Sequence, residues 1–398
     1  MSRITALATS SSRPRRLFYG LLMLAIAPLL FFACSSSDNN GGGGTTTNNP
    51  PAGGLTNQFG YVISASGQIQ AYRVDGNGNL TSVGGPIATG TFPHHVDVDP
   101  SGRFVYVSNH DSTFLSGWRI NQQDASLIPM DPRPGSPVTG TDPTENQSHS
   151  SVMDTTGRFL YVIAGTGAST LRAYTIDTTA GNTLGLLTFI PGQSFPVGTH
   201  AHNITVSPNN LFVFVAVEGS GEVHAFSRDT TTGALTAAGI MTGLPAADGV
   251  RVDPASKFLY VCYSNAVEVF EIGGNGALTR ILPISTFPTN DNGKGSGPHS
   301  IAIHPNGQTL YTANLFSNTV SVFRVDPTTG ALTEIPPPPS TGTEPNYVLV
   351  HPDGGFVYTA DTVSDQLSRF TINPDGTLTL ANIIPAGDGA NGIGMTKF

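Results

Sequence analysis

The sequence contains few charged side chains. They make up 11% of the 398 residues, against about 25% in an average soluble protein. Lysine occurs only three times, and the scarcity of strong helix formers disfavours a helical bundle, a coiled coil and a doubly wound α/β enzyme. The formal net charge of −9 argues against nucleic acid as a partner, because neutralising phosphates requires clustered Lys and Arg.

Cysteine is almost absent, with Cys34 and Cys262 the only two. If Cys34 carries a lipid, as argued below, no disulfide can form within the chain. Cys262 lies in the apolar run FLYVCYS, which is typical of a buried strand. We therefore predict that Cys262 is a packed strand thiol rather than a catalytic nucleophile.

Glycine and proline are abundant. The chain has 47 glycines and 30 prolines, about one residue in five, compared with a usual ~12%. Because both residues interrupt helices and favour turns, this composition indicates short strands joined by many turns.

The N-terminus has the features of an export signal. Residues 1–16 contain four arginines and no acid, and residues 17–33 read LFYGLLMLAIAPLLFFA. A basic region followed by an apolar run predicts a signal peptide over residues 1–33. The apolar run is shorter than the ~20 residues of a membrane span, although a retained anchor helix stays an alternative.

Cys34 follows the apolar run directly, which resembles a bacterial lipobox, so we predict that Cys34 is lipidated. An ordinary signal peptide is the alternative. The segment 34–58 is mostly Ser, Asn, Gly, Thr and Pro and is predicted to be a flexible tether. These features predict an exported lipoprotein of the bacterial cell envelope, held at the membrane through its lipid.

The rest of the chain, residues 59–398, is built from a repeat. Six segments such as HVDVDPSGRFVYVSN and GVRVDPASKFLYVCY recur about 50 residues apart, a period typical of propeller blades. Each unit combines alternating apolar strands with turns such as DPSG and DPTTG, which indicates four strands per unit. Four-stranded units arranged radially form a β-propeller.

The first and last segments of the repeat are partial units that together make one complete four-stranded unit. Residues 59–83 match only the last three strands of a unit, and the C-terminal ANGIGM matches only a first strand. The sequence therefore predicts an all-β, seven-bladed propeller closed by pairing the C-terminal strand with the N-terminal blade. Such closure removes exposed sheet edges.

The first residues of the seven inner strands are all polar, and they are predicted to surround the mouth of the central channel. We interpret this as a ligand site at the mouth. The alternative is that a wet channel mouth needs polar groups to bond the inner backbone. The seven residues are His94, His149, His202, Asp248, His299, Asn346 and Asn391.

Polar residues also follow the second strand of several units, in loops predicted to lie on the same face. Glu218 ends the apolar run LFVFVAV, where burial would raise its pKa and suit it to general-base catalysis. The alternative is an ordinary loop carboxylate. The other polar loop residues are Asn109, His110, Asp111, Asn314 and Asp361.

The repeat, with FVYVSN, FLYVIA, LYTAN and FVYTAD, resembles the seven-bladed lactonase family of 6-phosphogluconolactonases and carboxymuconate-lactonising enzymes. The resemblance covers nearly all of residues 59–398. The family's inner-strand histidine motif is matched by SHS at 148–150, which points to His149, and its glutamate is matched by Glu218. The family also has two arginines at the starts of inner strands. The aligned residues of this chain are His202 and Asn346, so neither arginine is present.

The resemblance implies a lactonase-type hydrolase that opens a sugar or related lactone. Glu218, with or without His149, would take a proton from the attacking water, and His202 and Asn346 would stabilise the oxyanion. The remaining mouth residues would bind substrate: His94, Asp248, His299 and Asn391. Without the two arginines a phosphate loses its anchor, so a non-phosphorylated lactone is expected.

The alternative function is a non-catalytic, lipid-tethered propeller that binds a ligand or a protein. The missing arginine pair, the lipid anchor and the polar tether favour it. No cofactor is expected. A metal at the channel mouth stays open, because His, Asp and Asn offer nitrogen and oxygen ligands, although they would come from separate blades.

Overall fold

The computed structural model describes residues 58–130, 147–165, 167–286 and 297–397. The predicted signal peptide, lipidation of Cys34 and nearly all of the predicted tether lie outside these ranges. Every regular element within them is a β-strand, the first beginning at Gln58. No helix capable of crossing a lipid bilayer occurs among the described residues.

The strands form seven four-stranded antiparallel sheets, each one blade. Blade 1 consists of β1 (Gln58–Ser64), β2 (Gln68–Val74), β3 (Leu80–Ala88) and the final strand of the chain, β28 (Ala390–Met395). Blade 2 contains β4 (Pro93–Val98), β5 (Phe104–Asn109), β6 (Leu115–Ile120) and β7 (Leu127–Pro129). Blade 3 contains β8 (Ser148–Met153), β9 (Phe159–Ala164), β10 (Ala168–Ile176) and β11 (Leu187–Thr199).

Blades 4 to 7 repeat the same order. Blade 4 contains β12 (Ala201–Val206), β13 (Phe212–Val217), β14 (Glu222–Arg228) and β15 (Leu235–Thr242). Blade 5 contains β16 (Ala247–Val252), β17 (Phe258–Tyr263), β18 (Ala266–Ile272) and β19 (Leu278–Thr286). Blade 6 contains β20 (Pro298–Ile303), β21 (Thr309–Asn314), β22 (Thr319–Val325) and β23 (Leu332–Glu334). Blade 7 contains β24 (Pro345–Val350), β25 (Phe356–Asp361), β26 (Gln366–Ile372) and β27 (Leu378–Pro385).

The seven-bladed propeller predicted from the repeat is confirmed, including its closure. β28 pairs antiparallel with β1, with Met395 opposite Gly60 and Ile393 opposite Val62. The innermost strand of each blade contacts that of the next, and β28 contacts β4, so the ring is continuous. The N-terminal blade therefore takes its inner strand from the end of the chain.

The apolar core lies between blades. Seven clusters of buried side chains each join the second and third strands of one blade to a neighbouring blade. The second strands are covered on both faces, which explains their nearly continuous apolar sequences. Cys262 is buried on β17, and burial raises the pKa of its thiol, as expected for a packed strand residue.

Candidate active site

The structure brings the seven predicted mouth residues, each the second residue of an inner strand, together in one ring, termed here the mouth ring. The imidazoles of His94 and His149 have centroids 4.2 Å apart, and those of His149 and His202 are 4.5 Å apart. His299 stacks edge-on to His202 at 4.9 Å. Each side chain comes from a separate blade, so the propeller alone creates this cluster.

Carboxylate and amide groups complete the mouth ring. Asp248 pairs with His202 Nδ1, and its Oδ2 is 3.3 Å from His299 Nε2. Asn346 Nδ2 donates to Asn391 Oδ1, and Asn391 Nδ2 donates to the carbonyl of Pro93, 2.9 Å away. Asn391 therefore bonds the inner backbone, and so do His149 through the carbonyl of His202 and His299 through the carbonyl of Asn346, as the alternative interpretation of a wet mouth expects.

Burial controls the charge of the ring histidines. It lowers the pKa of His94 and His149 well below the usual range, helped by the neighbouring imidazoles. Burial also opposes protonation of His202, but the Asp248 carboxylate outweighs it, so the pKa of His202 is raised. Burial lowers the pKa of His299 as well, so the ring holds three imidazoles that burial keeps neutral beside His202, whose pKa is raised.

Glu218 lies at the solvent-accessible edge of the mouth, termed here the rim. Its Oε2 is 2.9 Å from Nδ1 of His200, and the two side chains are 29% and 42% exposed. The hydrogen bond from His200 is the main reason that the pKa of Glu218 is lowered to about 2, against the opposing effect of burial. The prediction that burial raises this pKa is therefore wrong, because the loop carries Glu218 to a partner at the surface.

This arrangement changes the catalytic role that Glu218 can have. A carboxylate with so low a pKa is ionised at neutral pH but is a weak base. By accepting the Nδ1 proton of His200, it leaves Nε2 of that imidazole as a free acceptor. Nε2 of His200 is thus the proton acceptor of the pair, oriented by Glu218 as in other carboxylate–histidine pairs.

Sequence reasoning missed His200. The residue two before the mouth position adopts a left-handed backbone in several blades, with φ of 51° at Phe92, 55° at His200, 58° at Ala246 and 56° at Glu344. This turn brings the His200 carbonyl within 3.0 Å of the Glu218 amide. The His200-Ala201-His202 spacing was the available signal, since it places two histidines at one strand entrance.

The other polar loop residues divide into two groups. Asn109, Asn314 and Asp361 are buried and brace their own blades, for example through Asn314 Nδ2 to Ser321 Oγ at 2.9 Å. His110 instead reaches the mouth, where its ring is 5.1 Å from that of His149. The rim therefore consists of His110, His200 and Glu218 around the buried His149, which is 2% exposed.

A cavity of about 570 Å³ fills the channel beneath the mouth ring. Its polar lining includes His95, Asp97, Arg251 and Tyr347, and its far end reaches the turns that follow the inner strands. Within the described ranges, no residue of the mouth ring lines this cavity. The mouth ring therefore lies outside this cavity, at the end of the inner strands where the rim is found.

Among the residues that the structure describes, three sets of side chains each place one potential ligand atom per residue within 4.8 Å of the others. All three belong to the mouth ring or its rim. The sets are His94, His149 and His202; His110, His149 and His200; and His202, Asp248 and His299.

Comparisons with known proteins agree with this architecture. A family model described as "Lactonase, 7-bladed beta-propeller" matches residues 55–263 and 193–389. A 6-phosphogluconolactonase of Bacillus subtilis is 27% identical over 284 residues, covering 68% of this chain and 77% of the relative. One of Formosa agariphila is 25% identical over 287 residues, covering 69% and 78%.

Among solved structures, a periplasmic gluconolactonase of Pseudomonas aeruginosa superposes with a TM-score of 0.68 and 21% identity. The match covers 85% of this chain and 99% of that structure. At this identity the likeness supports the fold alone.

Proposed function

Because the chain belongs to the seven-bladed β-propeller lactonase family, we propose that it hydrolyses the internal ester of a sugar or related lactone at the rim of the mouth. The observation that carries this proposal is the Glu218–His200 pair, with Oε2 2.9 Å from Nδ1 at a solvent-accessible position. A positioned histidine with a free Nε2 is the usual general base for ester hydrolysis.

The reaction follows from this pair. His200 Nε2 takes a proton from water as the oxygen attacks the lactone carbonyl carbon, and Glu218 stabilises the imidazolium that forms. The tetrahedral intermediate then breaks the bond between the carbonyl carbon and the ring oxygen. His200 returns the proton to that oxygen, so the products are one carboxylic acid and one hydroxyl on the same molecule.

The predicted oxyanion residues lie deeper than the base. His202 is buried against Asp248, and Asn346 donates to Asn391. We assign these residues to electrostatic stabilisation of the oxyanion. The raised pKa of His202 favours positive charge beneath the mouth, where it would stabilise the developing anion. His149 lies between this charge and the rim.

The charge of the mouth favours an uncharged lactone. None of the seven ring residues is Arg or Lys, whereas Asp248 and Glu218 both contribute carboxylates. A phosphorylated substrate would meet these acids without a bidentate arginine to hold it. The relatives' name of 6-phosphogluconolactonase supports lactone opening, and the substrate of this chain is expected to lack the phosphate.

The test measures lactone opening by pH-stat against the spontaneous rate, using the processed protein treated with chelator. We expect acceleration of glucono-δ-lactone hydrolysis. His200→Gln should lower kcat by about 100-fold or more, as general-base loss usually does, and Glu218→Gln should also lower it. His304→Gln is the matched control, since His304 faces Gly354 away from the mouth.

Two results would overturn the proposal. One is a folded wild-type protein that accelerates the opening of no lactone in a panel including phosphorylated and uncharged members. The other is full activity in His200→Gln.

We also propose that the protein works outside the cytoplasm, anchored through a lipid on Cys34. The basic and apolar leader and the tether composition support this, and the Pseudomonas aeruginosa structural neighbour is described as periplasmic. Intact mass of the processed N-terminus would show the lipid, and an unmodified Cys34 would contradict the proposal.

A further inference from the structure

Three imidazoles surround one point at the rim of the mouth. The ring of His149 is 5.1 Å from that of His110 and 5.5 Å from that of His200, in both cases nearly edge-on. Each residue offers one nitrogen, and the three nitrogens lie within 4.8 Å of one another.

The hydrogen bonds of these histidines fix which nitrogen is free. Nδ1 of His110 is 2.7 Å from Asp111 Oδ1, and Nδ1 of His200 is 2.9 Å from Glu218 Oε2. Nδ1 of His149 is 3.1 Å from the carbonyl of His202. Since an oxygen accepts a proton from each Nδ1, all three Nε2 atoms carry lone pairs, which is the arrangement of metal-binding histidines.

We propose that Nε2 of His110, His149 and His200 binds one divalent transition-metal ion of the zinc class, with water at the fourth position. A tetrahedral ion at about 2.0–2.1 Å from each nitrogen requires the three Nε2 atoms to converge on it. His110 and His200 lie in partly exposed turns, whereas His149 is buried and its Nδ1 contacts the carbonyl of His202.

The donor set selects the class of ion. Three neutral imidazoles suit Zn²⁺, Co²⁺, Ni²⁺ or Cu²⁺, whereas Ca²⁺ and Mg²⁺ require oxygen ligands. The two carboxylates, Asp111 and Glu218, lie behind the histidines rather than in their centre. The partial exposure of His110 and His200, at 24% and 42%, provides a path for the ion.

The set formed by His110, His149 and His200, termed here the rim set, is better suited to bind a metal ion than the two inner sets that contain His202. Both inner sets include His202, which is buried and lies against the carboxylate of Asp248. Only the rim set combines three occupied Nδ1 atoms with contact to solvent.

The metal site rests on imidazole geometry, but its consequence for catalysis rests on the proposed function. The ion would occupy the same Nε2 lone pair of His200 that accepts the water proton. Bound metal and the histidine base therefore exclude each other, and the metal-free protein is the form that performs the hydrolysis described above.

The test titrates chelator-treated processed protein with Co²⁺ and follows the visible absorption of tetrahedral cobalt, with Zn²⁺ calorimetry beside it. We expect one ion per chain, with Zn²⁺ displacing Co²⁺. His110→Gln and His200→Gln, both at the surface, should each weaken binding by at least 100-fold. Glu218→Gln should weaken it by about 10–100-fold through loss of the carboxylate behind the ligand.

His304→Gln serves as the control and should bind like the wild type. Absence of stoichiometric binding, or binding unchanged in both rim variants, would overturn the site. Binding lost only in His94→Gln would place the ion in the inner set and also overturn it. Since these assays measure binding alone, failure of lactone hydrolysis would leave the metal result intact.

Discussion

At the scale of single residues, burial decides charge in this molecule. Asp97 on β4 shows the effect most clearly among the channel residues: its side chain is 11% exposed and lies 3.8 Å from His95 Nε2. Burial raises the pKa of Asp97 to about 7, although the hydrogen bond from Ser151 and the charge of Arg251 lower it. The native protein therefore keeps this carboxyl protonated where an unfolded chain would ionise it.

This shift predicts how stability depends on pH. Between the unfolded pKa of about 4 and the native pKa of about 7, the native state binds the extra proton. The contribution of Asp97 to the free energy of unfolding should therefore fall as pH rises through this window. Asp97→Asn should remove this contribution, so the stability of the variant relative to wild type should rise with pH, measured by urea unfolding from pH 4.5 to 8, with exposed Asp388→Asn as control. Equal slopes in wild type and Asp97→Asn would contradict the shift.

At the scale of strands, six of the seven second strands are tied to the next blade by a tyrosine. The hydroxyl donates to a hairpin carbonyl of the neighbouring blade, for example Tyr161 to Gly233 at 2.9 Å and Tyr311 to Gly376 at 3.1 Å. Blade 4 has Phe214 at this position and makes no such bond. The other donors are Tyr61, Tyr106, Tyr260 and Tyr358.

Removing one of these bonds should cost measurable stability. Tyr311→Phe keeps the buried ring but leaves the Gly376 carbonyl unpaired, so we expect a loss of about 1–2 kcal/mol in the free energy of unfolding. The reciprocal variant, Phe214→Tyr, should restore the missing bond in blade 4 and stabilise by up to about 1 kcal/mol. Chemical unfolding measures both, and an unchanged midpoint for Tyr311→Phe would show that the bond contributes nothing.

At the scale of the whole molecule, stability depends on closing the ring. β28 is buried along its whole length and contributes Ile393 and Met395 to the cluster between blades 7 and 1. Because each blade packs on its neighbours, an open ring would expose the β1 edge and the apolar faces of two blades.

Truncation tests this dependence. A chain ending at Gly389 lacks β28, so we expect loss of a cooperative thermal transition and aggregation by size-exclusion chromatography. A chain ending at Thr396 keeps β28 and the Thr396 bonds to Phe59, and should melt like the wild type. A monomeric, cooperative protein without β28 would show that closure is dispensable.

The sequence alone determined the propeller, its blade count and the residues that meet at the mouth. The repeat carries that information locally: turn residues fix the hairpins, alternation fixes the faces, and the incomplete end units fix closure. The distance from each inner strand to the turn that follows it is the same in each complete unit, so His149, His202 and Asp248 lie at equivalent positions of their blades. No long-range information was needed for these conclusions.

Only the tertiary structure decided how the site residues are paired. Glu218 was expected to be a buried base, but the turn before β12 supplies His200, whose hydrogen bond lowers the pKa of Glu218. His110 and His200 meet around His149 because neighbouring blades converge at the axis. Hydrogen bonds and burial depend on distances between blades, and a one-dimensional repeat does not contain those distances.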